Sequence, residues 1–62
     1  MSGDRESVLT ALGERGRTHQ VAKRLGWPTP KARYYLTQLE RAGKVRRDER
    51  YTSENDIYWI PA

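Results

Sequence analysis

Apolar positions along the chain fall into three helical stripes, followed by a stretch in which the period shortens to that of strands. Val8, Leu9, Ala11 and Leu12 recur at helical spacing, Ser2 or Asp4 is suited to cap the free N–H groups before them, and Glu6 in the first turn complements the helix dipole. Gly13 and Gly16 end this first helix. After the polar stretch "GERGRT", Thr18 is placed as the N-cap of a second helix of about two turns, lined by Val21, Ala22 and Leu25 and stopped by Gly26. "GWPTP" then breaks the chain, because a residue preceding proline is pushed out of the α region. Thr29 as a cap and Pro30 as the first helical residue start a third helix over about residues 30–42. Its buried stripe is Ala32, Tyr35, Leu36 and Leu39, and Gly43 closes it.

From Lys44 onward "KVRRDERY" and "DIYWI" read as two strands around "TSEN", with Pro61 ending the second. Either Trp59 with Ile57 or Tyr58 with Ile60 forms the inner face; alternation does not choose between the pairs, and a core position suits Trp59. A two-stranded hairpin is not stable alone in water, so it packs its apolar side on the helices. Trp27 seals the gap between the second and third helices. Three helices and a C-terminal β-hairpin in this order are the plan of a winged helix-turn-helix, an α+β fold, here in one domain spanning residues 1–62.

Charge sharpens that picture more than composition does. The net charge of the 62 residues is only +4, yet residues 15 to 47 hold ten basic side chains against Glu40 alone, a net of +9 between two acidic flanks. A basic block of this kind points to a polyanion, with double-stranded DNA as the expected partner. On the third helix, Arg33 can bond guanine O6 and N7 bidentately and Gln38 can read adenine. Lys31 and Arg41 stand near its opposite ends as backbone clamps, and Thr37 and Tyr34 complete the polar face. Thr29, at the helix start, and Thr18, His19 and Gln20, at the start of the second helix, lie where N–H groups and the dipole favour a phosphate oxygen. Arg46 and Arg47 at the hairpin entrance fall beside a phosphate backbone if the third helix occupies a major groove. Asp48, Glu49, Glu54 and Asp56 make the wing acidic around Arg50, leaving Arg50 and Tyr51 as its contacts to nucleic acid and opening a rival reading, a protein-interaction adaptor that docks through the wing.

Catalysis is not expected. There is no cysteine, a single histidine, no glycine-rich phosphate loop and no carboxylate pair on one face, so neither a metal site nor a cofactor is implied. The absence of cysteine fits a reducing, cytoplasmic setting, and no apolar run approaches the roughly 20 residues that span a bilayer. No apolar helix is left over for a dimer interface, so a monomer is expected in isolation.

"ARYYLTQLERAGKVRR" followed by "IYWI" resembles the FaeA/PapI-like winged helix-turn-helix regulators of bacterial fimbrial operons, over roughly residues 6 to 60. The resemblance implies a transcriptional regulator, associated with the nucleoid, that binds DNA through its third helix and acts with a leucine-responsive-type regulatory protein. It carries over Arg33, Tyr34 and the framework residues Leu36, Leu39, Gly43 and Trp59. The wing departs from the family's basic, glycine-containing pattern. A second resemblance, in "LGWP" and the tryptophan of the last strand, is to Z-DNA-binding alpha domains. There Arg33 and Thr37 stand where that family has asparagine and tyrosine, and the paired wing prolines are missing.

Overall fold

Trp59 is the point on which the apolar stripes converge. The computed structural model describes residues 3–53 and 56–62, arranged as α1 (Gly3–Leu12), β1 (Gly16–Arg17), α2 (Thr18–Leu25), α3 (Thr29–Arg41), β2 (Val45–Arg47) and β3 (Tyr58–Pro61). Val8 and Leu12 of α1, Val21 and Ala22 of α2, Ala32, Leu36 and Leu39 of α3 and Val45 of β2 enclose the fully buried Trp59 ring. Ile57 packs on this cluster while Tyr58 and Ile60 stay half-exposed, which resolves the choice of inner face in favour of Trp59 with Ile57. The result is an α+β winged helix with three helices and a small antiparallel sheet.

The sheet has one strand more than the hairpin expected. Its order is β1-β3-β2, with Gly16 paired to Trp59 and Arg17 to Tyr58 on one side of β3, and Arg46 paired to Ile60 and Arg47 to Trp59 on the other. Gly16 is therefore a buried strand residue and not part of the α1 stop, which falls at Gly13, whose N–H reaches the Leu9 carbonyl at 3.1 Å. Two residues as poor in β preference as Gly-Arg become a strand only because β3 offers them an edge.

Helix starts also differ from expectation. Ser2 lies outside the described residues, and Asp4 sits within the first turn of α1. The α2 cap is Arg17, not Thr18, and the α3 cap is Pro28, not Thr29. Pro28 holds the extended backbone (φ −61°, ψ 142°) that a cap requires, and its carbonyl accepts from Lys31 and Ala32. Thr29 and Pro30 thus both enter the helix, where proline loses no hydrogen bond in the first turn. The helix ends follow the expected rule. Gly26 and Gly43 adopt φ of 69° and 76°, and in each case the next residue donates back into the last turn, Trp27 to Ala22 and Lys44 to Leu39, both at 2.9 Å.

Both strands of the wing are shorter than the sequence suggested. β2 stops at Arg47 because Asp48, after one more ladder bond from its N–H to Tyr58, turns its carboxylate onto the Arg50 N–H (3.1 Å) and guanidinium (3.3 Å). This is an Asx turn, a local bond that competes with the ladder. Thr52 then bridges the two sides, donating to the Asp48 carbonyl and accepting from the Tyr58 N–H. No helix among the described residues is long and apolar enough to cross a membrane.

The hydrogen bond from Arg50, chiefly, holds the Asp48 carboxyl below its ordinary value of 3.8. A carboxylate whose folded value is depressed stabilises the fold above its unfolded value, and that contribution is lost as pH falls through the folded one. Asp48→Asn is therefore expected to lower the melting temperature at neutral pH, with the gap to the parent closing below about pH 4 as Asp48 protonates. Thermal melts across pH check this; a gap that is constant with pH would assign Asp48 no charge-dependent role.

Candidate nucleic-acid interface

With Ala32, Leu36 and Leu39 buried, α3 packs against α1, α2 and β2 and turns its other side outward. Residues at i, i+4 and i+8 share a helix face, so Arg33, Thr37 and Arg41 form one row along it. Lys31, Tyr34 and Gln38 form a second. Arg33, Tyr34, Lys31 and Arg41 are exposed, Tyr34 to 60%, while Thr37, Gln38 and Thr29 are half-buried.

The tyrosine pair divides as the stripe implied, with one adjustment. Tyr35 packs on the edge of the core and does not enter it; its hydroxyl donates to the Asp4 carboxylate at 3.2 Å, which holds the phenol above its ordinary 10.0. Tyr34 meets Tyr35 edge to face at 5.4 Å, and Tyr35 leans on Trp27 at the same spacing. Trp27 does more than fill a gap: the Lys31 ammonium lies 4.3 Å from its ring centroid, so this side chain is held by a cation–π contact.

Beside the first row stands β2. Arg46 and Arg47 alternate across the sheet, so they do not share a face. Arg47, paired with Trp59, lies on the helix side, where its Nε donates to Glu40 at 3.0 Å and its guanidinium covers the Trp59 ring at 5.3 Å. Arg46, paired with Ile60, lies on the outer side. Glu40 is a residue that sequence reasoning counted only as the exception in a basic block; here it sets where Arg47 stands.

The start of α2 is not the open anion site that Thr18, His19 and Gln20 suggested. Each of its first donors already has a partner: the Arg17 N–H bonds the Gln20 side-chain oxygen (3.1 Å), the Thr18 N–H the Ile57 carbonyl (3.0 Å) and the His19 N–H the Asp56 carboxylate (3.3 Å). A carboxylate placed there repels a phosphate. Thr18 is itself buried, its hydroxyl donating to the Ile57 carbonyl and accepting from Trp59 Nε1 at 2.7 Å. Gln20 keeps only its amide N–H2 group for an outside partner. No side chain caps α3, and Thr29 is the first residue to offer an N–H there.

The wing is less acidic on its surface than in its sequence. Asp48 is buried against Arg50 and Asp56 caps α2, which leaves Glu49 exposed; Glu54 lies outside the described residues. Of the four carboxylates that an adaptor surface would use, Asp48 and Asp56 are engaged within the fold. In its place the outer side carries an aromatic and cationic stack: the Arg17 guanidinium sits 5.5 Å from the Tyr58 ring, Tyr58 is 5.3 Å from Tyr51, and Arg17 also donates to the Tyr51 carbonyl at 2.9 Å. Arg17 had no sequence signal beyond its charge, because its partners are more than thirty residues away.

Among proteins of known family, a family model described as FaeA-like protein matches residues 4–51, from α1 through β2 into the wing. No curated protein and no solved structure matches the chain.

Proposed function

The chain belongs to the FaeA-like family, a family of winged-helix regulators, and on that premise we propose that it is a sequence-specific regulator that lays α3 in the major groove of double-stranded DNA. The observation that supports this most directly is the Arg33–Thr37–Arg41 row, presented on a helix whose other side is anchored by Ala32, Leu36 and Leu39. In this reading Arg33 contacts a guanine edge, Gln38 an adenine, and Tyr34 a base or sugar beside them. Lys31, Arg41, Arg46 and Arg47 neutralise phosphates, and a further phosphate oxygen is received at Thr29. The protein acts in the bacterial cytoplasm on the nucleoid. A leucine-responsive-type regulatory protein as co-binder rests on family membership alone.

Selection of bound duplexes from a random pool tests this reading and defines the site at once. Arg33→Ala is expected to relax preference at one base pair by about 1–3 kcal/mol, or roughly 5- to 150-fold, with little change elsewhere. An equal loss on every sequence would make Arg33 a phosphate contact, and a pool without enrichment would overturn the proposal.

A further inference from the structure

We propose that Thr37 selects an A·T pair through its methyl group, an inference that rests on the reading of α3 as the DNA-contacting helix. The Thr37 hydroxyl donates to the Arg33 carbonyl, one turn back, at 2.8 Å. A hydroxyl carries one hydrogen, so its only donor is spent within the helix. What Thr37 retains for an outside partner is a methyl group and an acceptor oxygen, on a β-branched side chain that is stiff at χ1.

Those two groups discriminate among base edges. Guanine shows only acceptors, N7 and O6, in the major groove, and a side chain without a free donor has nothing to give them. An A·T pair shows the thymine C5-methyl and the adenine N6–H2 donor together, matching both groups that Thr37 retains. Cytosine has a donor but no methyl. Position supports the assignment as well: Thr37 is half-buried and stands one turn from the exposed Arg33 and one turn from the exposed Arg41 on the same row. Four residues separate Thr37 from Arg33, a rise of about 6 Å, so the A·T pair falls one or two base steps from the guanine that Arg33 contacts.

The test uses the complete chain and the duplex recovered from the random pool. Each thymine is replaced singly by deoxyuridine, which removes one methyl and leaves the pairing intact. At one position, one or two steps from the guanine, the parent is expected to bind about fourfold more weakly, the worth of one buried methyl. Thr37→Ser, which lacks the methyl, should lose that response at that position; Thr37→Val, which lacks the hydroxyl, should keep it. Thermal melts of both variants confirm that each is folded. A response that survives in Thr37→Ser, one that disappears in Thr37→Val, or the lack of any deoxyuridine effect overturns the inference while leaving the DNA-binding reading intact. A pool that yields no duplex overturns that reading, and this inference with it.

Discussion

Trp59→Ala is expected to remove about a third or more of the stability of the fold. A domain of 62 residues has a stability of only about 3–9 kcal/mol at the usual 0.05–0.15 kcal/mol per residue. Truncating a fully buried tryptophan costs about 3–5 kcal/mol in lost burial and cavity. Here the ring is wholly inaccessible and stands at the centre of the sheet, opposite Gly16 on one side and Arg47 on the other. It also satisfies Thr18, since Nε1 donates to the buried hydroxyl at 2.7 Å. Thr18→Val isolates that polar share: it leaves Nε1–H buried without an acceptor and should cost about 1–3 kcal/mol. Denaturant titration followed by far-ultraviolet circular dichroism reads both variants. A cooperative Trp59→Ala transition near that of the parent would show that the helices hold together without the sheet.

That a single tryptophan joins helices and sheet also explains which parts of this fold the sequence disclosed. Local rules sufficed where the determinant is local. The stripe Ala32, Leu36 and Leu39, the glycines at 26 and 43 and the break at Trp27 and Pro28 depend on neighbours within a turn and stand where those rules put them, whereas Thr29, expected outside the α region before Pro30, is the first residue of α3. The misplacements share a different cause. Thr18 looked like a cap because a threonine before an apolar run is usually one, yet its hydroxyl is taken by Trp59 and Ile57, some forty residues on. Gly16 looked like a stop because nothing in "GRT" hints at the β3 edge it joins. The wing looked acidic because sequence counts charges without their partners, whereas Asp48 and Asp56 are spent on Arg50 and on the start of α2. For the candidate interface the same division holds. The α3 rows followed from helical periodicity, while the placing of Arg47 by Glu40 and of Lys31 by Trp27 required the tertiary structure.

Duplex affinity is expected to fall steeply with salt, by about 150-fold between about 50 mM and about 200 mM, if Lys31, Arg41, Arg46 and Arg47 each neutralise one phosphate. Releasing about four condensed counterions gives a slope of about −3.6 in log affinity against log salt. A flat response would remove phosphate neutralisation, and with it the explanation for the basic block. Single alanine variants divide the slope among its sources. Arg47→Ala should lower it by about 0.9, because Arg47 lies on the helix side of the sheet beside α3. The Glu40 bond engages Nε of that guanidinium and leaves its terminal nitrogens as donors, so ion pair and phosphate contact can coexist. Arg46 stands on the outer side of the same strand. An equal drop for Arg46→Ala means that the duplex reaches around the edge of β2 to the face of Tyr51 and Tyr58. An unchanged slope confines the interface to α3 and the inner edge of the wing, reducing the phosphate count to about three and the expected slope to about −2.7.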